Sequence, residues 1–163
     1  MANTNQAIGA MPAERLYPMQ EYTAAGIIYP GDFVMLESGG RVIVATATQA
    51  LIGVAVSYAS AAGQKVLVAD HPDQKFVIQS DGATPAVQAD IAFNYDITPG
   101  SPNSTYRRSS MQLASASKAA TATLPLRLVR ISKEASNALG ANAKCVVVIN
   151  NHQLKGGTGV AGV

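Results

Sequence analysis

Few residues in this sequence could support acid–base or metal chemistry, and the main ones are Asp70, His71, Asp73 and His152. The first three fall within four consecutive positions, but their spacing matches no compact metal-binding motif, and Pro72 between them is typical of a turn. The two histidines lie in opposite halves of the chain, whereas a catalytic base must lie within hydrogen-bond reach of its target. We therefore expect no catalytic site, no metal site and no cofactor, and we do not expect an enzyme.

The single cysteine, Cys145, also points to structure rather than chemistry. It stands in a strongly β-branched run and has no base or metal ligand near it in sequence, which favours a small buried side chain over a reactive thiol. One cysteine cannot form an internal disulfide, so we expect assembly in a reducing compartment. The sequence shows no secretory signal and no apolar run near about 18 residues, so we expect synthesis in a cytoplasm and no membrane span.

Arg107 and Arg108 form the one basic pair of the segment 98–110, TPGSPNSTYRRSS. This segment is polar and rich in turn residues, which predicts an exposed loop. The pair is either a solvated loop tip or a contact with an acidic partner surface. The net charge is only +2, and no basic cluster is interleaved with aromatic residues, so we expect no direct contact with nucleic acid.

Composition indicates one domain that hides part of its surface. The chain has 163 residues, of which 48% are apolar and only 13% are charged. An isolated monomer needs charged surface for solubility, so sparse charge favours an oligomer or docking against a large partner.

The elements predicted around these residues are strands. Pro30-Gly31-Asp32 predicts a turn, and Gly39-Gly40 joins two apolar, partly β-branched runs, which is typical of a hairpin. Gly53, inside a third strand, indicates a bulge or a corner where a sheet curls. Further short strands are predicted up to Asn150, while 116–123 is ambiguous because its composition also suits a turn of helix. We predict an all-β fold, a compact antiparallel β-barrel or sandwich of β-tulip-like outline.

The two ends of the chain lack this pattern. Residues 1–22 mix prolines and polar residues with short apolar pieces and predict an extended N-terminal arm, followed by a β domain at 23–154 and a flexible glycine-rich tail at 155–163. The arm is too apolar for a purely solvated tail, so we expect it to dock onto a partner. Its candidate contact residues are Met11, Leu16, Tyr17, Met19 and Tyr22.

A resemblance to a known family is carried by several of these turn-and-strand segments. They are Tyr29-Pro30-Gly31-Asp32-Phe33-Val34, Ile52-Gly53-Val54, Asp73-Gln74 before Phe76, and Asn137–Lys144 leading to Ile149–Leu154. From about Tyr22 to His152 the chain resembles the small structural proteins of tailed bacteriophages that accompany the major capsid protein. In layout, an arm before a compact β domain, it is similar to the lambda-type head decoration or cement proteins.

The resemblance implies a structural virion protein on the outer capsid surface, made in the bacterial host cytoplasm. It implies a homotrimer at threefold positions that binds the major capsid protein, cements neighbouring subunits and stabilises the DNA-filled head. It carries over no functional residue, because the family is recognised by layout rather than by a chemical motif. The alternative is a head-fibre or tail-tip protein for host attachment, in which the loop 98–110 binds a glycan or another part of the bacterial surface.

Overall fold

The computed structural model describes residues 3–163, and within that range it contains β-strands, one short 3₁₀ helix at Gln88–Asp90 and no α-helix. In chain order the strands are β1 (Met11–Ala13), β2 (Gln20–Thr23), β3 (Phe33–Leu36), β4 (Val42–Val44), β5 (Gly53–Ala55), β6 (Lys65–Ala69), β7 (Lys75–Gln79), β8 (Asn94–Thr98), β9 (Gln112–Ala119), β10 (Leu126–Ile131) and β11 (Lys144–Ile149).

The strands form two antiparallel sheets that pack together. The six-stranded sheet has the order β1-β7-β11-β10-β8-β9, and the five-stranded sheet has the order β2-β6-β5-β3-β4. Both sheets curl: Leu113 of β9 bridges to Ser80 beyond β7, and Ala24 beyond β2 bridges to Val42 of β4. Within the described residues, neither sheet closes into a barrel. The predicted all-β antiparallel fold is confirmed, and of its two forms the structure has the sandwich.

Two hydrophobic cores lie on opposite faces of the five-stranded sheet. The larger core lies between the sheets, where Phe33 of β3 and Phe76 of β7 meet edge to face with ring centroids 5.9 Å apart. The smaller core contains Val34, the next residue of β3, because successive strand residues point to opposite faces. Residues 24–28, which follow β2, contribute Ala24 and Ile28 to this second core.

The predicted hairpin is present. Met35 pairs with Ile43 and Leu36 with Val42, so the turn falls at the glycine pair as the sequence indicates. Gly53 opens β5 at a close backbone approach rather than at a bulge. A Cβ at this position would lie 2.2 Å from the carbonyl oxygen of Ala69 on the neighbouring strand β6.

The structure defines the segment that the sequence left ambiguous and the residues that precede β8. The ambiguous segment 116–123 is not helical: β9 continues to Ala119, which pairs with Asn94 of β8. Gln88–Asp90 form the 3₁₀ helix, and β8 begins at Asn94. Pairing with β8 therefore outweighs the helix propensity of an alanine-rich stretch.

The N-terminal segment is extended, but it lies on its own domain. β1 pairs with β7 at the edge of the six-stranded sheet, and β2 pairs with β6 at the edge of the five-stranded sheet. Residues 3–23, which we call the N-terminal ribbon, thus cross from one sheet to the other. β2 also straddles position 22, where the sequence placed the boundary between arm and β domain. Residues 1 and 2 of the predicted arm lie outside the described range.

Candidate binding surface

The five predicted contact residues of the N-terminal ribbon face in different directions. Met11 and Leu16 project outward and are 49% and 64% exposed. Met19 packs against the larger core and Tyr22 against the smaller one. Tyr17 is half-buried, and its ring stacks on the imidazole of His71 with centroids 3.8 Å apart. Three of the five therefore hold the ribbon on its own domain, and the other two are exposed to solvent.

A buried glutamine fixes the middle of the ribbon. Gln74, which is 1% exposed and immediately precedes β7, accepts a hydrogen bond from the backbone N–H of Tyr17. Its side-chain amide nitrogen donates to the carbonyl oxygens of Ala13 and Arg15 at 3.2 and 3.1 Å. These bonds flank Leu16 on both sides, so the exposed side chain of Leu16 stands on a rigid backbone.

A second buried glutamine, at the other end of β7, fixes the start of the ribbon. The side-chain oxygen of Gln79 accepts the backbone N–H of Gln6 at 2.6 Å, and its amide nitrogen donates to the carbonyl of Thr4 at 2.8 Å. Asn3 adds hydrogen bonds to the carbonyls of Ala138 and Ala141, in the loop before β11. The ribbon is thus ordered before any partner binds.

An ion cluster adds to this attachment. Glu14, directly after β1, pairs with Lys75 at 2.8 Å and also with Arg130 of β10. Hydrogen bonds from Lys75 and Arg130 hold the pKa of the Glu14 carboxyl below its usual value. The cluster is solvent-exposed, so we assign it a positioning role rather than a large share of the stability.

The structure brings Asp70 and His71 near His152, although these residues are distant in the sequence. Tyr22 donates its hydroxyl to Asp70 at 2.6 Å, and Nδ1 of His71 accepts the backbone N–H of Asp73 at 3.1 Å. His152 is 2% exposed, and its Nδ1 accepts the backbone N–H of Leu154. Asp70 and His71 both lie near enough to His152 to influence its pKa.

Burial dominates the electrostatics of His152 and Cys145. Desolvation lowers the pKa of His152, against smaller opposing effects of the Asp70 backbone and the Asp70 charge. Burial also raises the pKa of the Cys145 thiol to about 12, so the thiol is protonated at neutral pH. This is the environment of a structural cysteine.

Arg107 and Arg108 lie on an exposed hairpin. Asn103 and Arg108 exchange two backbone hydrogen bonds, and the side-chain oxygen of Asn103 accepts the N–H of Tyr106 at 3.0 Å. The Arg107 guanidinium lies 4.9 Å from the ring centroid of Tyr58, which in turn packs against Tyr29. Sequence reasoning found the arginine pair but not the tyrosine beneath it, because Tyr58 is distant in the chain.

The glycine-rich tail lies along its own domain. The side-chain amide of Asn94 donates to the carbonyl of Val160, and the backbone N–H of Gly162 donates to the carbonyl of Ala120. Asn150 exchanges side-chain hydrogen bonds with both sides of this contact, accepting the N–H of Val160 and donating to the carbonyl of Ala122. These bonds give the tail a defined path beside β8 and β9.

Comparison with models of known protein families gives no match, and comparison with curated protein sequences gives none either. In residues 3–163, no group of three or more His, Cys, Asp and Glu side chains is arranged to hold a metal ion. The same range contains no helix with the length and apolar character needed to cross a membrane. The exposed apolar and aromatic side chains Met11, Leu16 and Tyr106 lie on the ribbon and the 103–108 hairpin, which together form the candidate surface.

Proposed function

We propose that this protein is a structural component of a tailed-phage virion that binds the outer surface of the capsid and cements neighbouring major capsid protein subunits. The observation that carries the proposal is the N-terminal ribbon, a segment held at both ends of β7 that presents Met11 and Leu16 to solvent. The resemblance of the chain to phage decoration proteins gives this surface its proposed partner.

A pre-ordered apolar surface suits permanent attachment. Association costs free energy when loops and side chains must be ordered, and a backbone already fixed in the free protein avoids much of that cost. Full burial of an exposed Met or Leu side chain contributes about 1.5–3 kcal/mol, and these two side chains are already partly buried in the free protein. Repetition over many sites on a shell makes small energies per site matter.

We further propose that the protein acts as a homotrimer at threefold positions of the shell. Sparse charge and several exposed apolar side chains support self-association, because symmetric contacts cover apolar surface on every subunit at once. Sedimentation should show a trimer in solution or on the shell, and a monomer in both states would contradict this part of the proposal.

Host attachment as a head fibre or tail tip is the second candidate function. It is favoured by the 103–108 hairpin, whose Tyr106 is 76% exposed at the tip. Under this alternative the hairpin binds a glycan or protein of the bacterial surface, and the ribbon contributes only to the fold.

Binding of the purified protein to capsids stripped of it tests the proposal. We expect saturable co-sedimentation, and we expect Met11→Glu and Leu16→Glu to weaken it by about tenfold or more, which corresponds to about 1.4 kcal/mol. Leu154→Glu is a matched control, because Leu154 is also about half exposed but lies near the tail. Equal binding by all three variants would remove the ribbon from the contact, and no binding by the unmodified protein would refute the function.

A further inference from the structure

An open groove with a volume of about 490 Å³ lies between the N-terminal ribbon and the 103–108 hairpin. Its apolar lining includes Ile8, Met11, Pro30 and Val56, and Tyr106, Arg107 and Arg108 form its hairpin side. It therefore shares Met11 with the candidate binding surface.

The charged side chains that line this groove are all positive. Neither Arg107 nor Arg108 makes an ion pair within residues 3–163, and no carboxylate is among the described residues that line the groove. Two unpaired guanidinium groups beside an apolar surface complement a ligand that carries carboxylates next to apolar groups. Guanidinium groups bind carboxylates with charge-assisted, often bidentate hydrogen bonds.

The hairpin holds Arg107 in a defined orientation. Arg107 has a φ of +48°, a left-handed conformation that non-glycine residues rarely adopt. The reciprocal Asn103 and Arg108 backbone bonds close the hairpin around it, and its guanidinium rests on Tyr58. Residues in such rare backbone conformations persist only where the surrounding structure fixes them, and they cluster at binding sites.

We infer that this groove binds an extended acidic peptide segment of the partner protein, with carboxylates on Arg107 and Arg108 and apolar side chains against Met11 and Val56. The inference rests on the proposed function, since it names the partner segment that meets the ribbon. The apolar lining favours peptide side chains over a saccharide.

The peptide contacts the groove through its side chains and does not pair with β1 as an added strand. β1 is the edge strand beside the groove, and its central residue is Pro12, which has no N–H to donate to an incoming backbone. Proline on an edge strand opposes strand addition. Specificity therefore comes from the two guanidinium groups and the apolar lining.

Calorimetric titration with synthetic peptides tests the inference. The probe is a capped peptide of alternating Leu and Glu, and its matched control replaces each Glu with Gln. We expect the Leu-Glu peptide to bind at least about tenfold more tightly than the Leu-Gln peptide, because hydrogen bonds to charged groups are the stronger ones. Raised salt should weaken the binding of the Leu-Glu peptide.

Variants locate the binding and separate this inference from the proposed function. Arg107→Ala and Arg108→Ala should each weaken binding several-fold, whereas Arg41→Ala, which removes an exposed arginine paired with Glu37, should not. Equal binding of both peptides, or tighter binding of an acidic polysaccharide, would overturn the inference. If the peptide fails to bind while the protein still binds stripped capsids, the inference falls and the proposed function stands.

Discussion

The side-chain oxygen of Gln74 accepts the backbone N–H of Tyr17 at 3.1 Å, which ties the N-terminal ribbon to the start of β7. The same buried amide also serves the carbonyls of Ala13 and Arg15. A single side chain thus satisfies three backbone groups of a segment that would otherwise be free. The exposed position of Leu16 depends on this arrangement, because Leu16 lies between Arg15 and Tyr17, which the Gln74 side chain holds.

Gln74→Ala should destabilise the protein by about 1–3 kcal/mol, because it leaves backbone groups of the ribbon without their partner. Denaturant unfolding would measure the change. Gln20→Ala is the matched control, since Gln20 is exposed and its substitution should stay within about 0.5 kcal/mol. Equal effects of the two substitutions would show that the Gln74 amide does not hold the ribbon.

Deletion of residues 1–22 should lower the melting temperature. From sequence alone, we expect an arm whose removal leaves the β domain intact. The structure gives the opposite expectation, because the deletion removes β1 and most of β2 and leaves Gln74 and Gln79 buried without their ribbon partners. We expect a fall of at least about 10 °C, since each kcal/mol shifts the melting temperature of a chain of this size by about 2–4 °C.

Deletion of residues 161–163 is the control for that experiment. These residues make only a few backbone contacts, including Gly162 with Ala120, and their loss should cost much less. A melting temperature unchanged by the 1–22 deletion would show that the ribbon is not part of the folded unit in solution.

Gly53→Ala should lower the free energy of unfolding by about 1–3 kcal/mol, the usual cost of overpacking. The new Cβ would meet the backbone carbonyl of Ala69, which cannot move without breaking the pairing of β5 with β6. Gly26→Ala is the matched control, because nothing lies within 4 Å of the Cβ it adds. If thermal unfolding shifted equally in both variants, close packing at Gly53 would not be the cause.

Stability should fall as the pH is lowered from about 6.5 towards 5, because of His152. Burial lowers the pKa of this imidazole in the folded protein, so the unfolded chain binds the proton more readily. The contribution of neutral His152 to the free energy of unfolding is therefore fully present above the ordinary histidine pKa. It is lost progressively as the pH falls below that value. Asp32 acts in the opposite sense, since burial raises its pKa and the folded state then holds the proton more strongly.

Unfolding free energies of the unmodified protein and of a His152 variant across this pH range would check the assignment. His152→Gln should flatten the slope, because it removes the buried imidazole whose pKa burial lowers. A slope that survives unchanged in His152→Gln would contradict the account.

Local patterns in the sequence were sufficient to predict most of the strands. The Gly39-Gly40 turn and the β-branched run ending at Ile149 carry their signals within a few residues, so β3, β4 and β11 could be read directly. β1 and β2 could not be read this way. They are only three and four residues long and carry no useful periodicity, and their order comes from Gln74 and Gln79, far away in the chain.

The candidate surface was predicted only in part for the same reason. The apolar character of Met11 and Leu16 is visible in the sequence, but the inward orientation of Met19 and Tyr22 follows from the sheet pairing of β2 and its neighbours. Likewise, the arginine pair is visible at 107–108, whereas the contact with Tyr58 requires two loops to meet in the fold.

The central claim, that the protein cements a capsid, is tested most directly by the temperature at which DNA-filled particles release their DNA. Anything that binds the assembled shell and not its separated subunits stabilises it, by about 2.7 kcal/mol per site at a hundredfold excess over the dissociation constant. We predict that particles stripped of this protein release DNA at a lower temperature than complete particles, and that adding the purified protein restores the original value. Identical release temperatures, accompanied by loss of adsorption to host cells, would contradict the claim and assign the protein to host attachment.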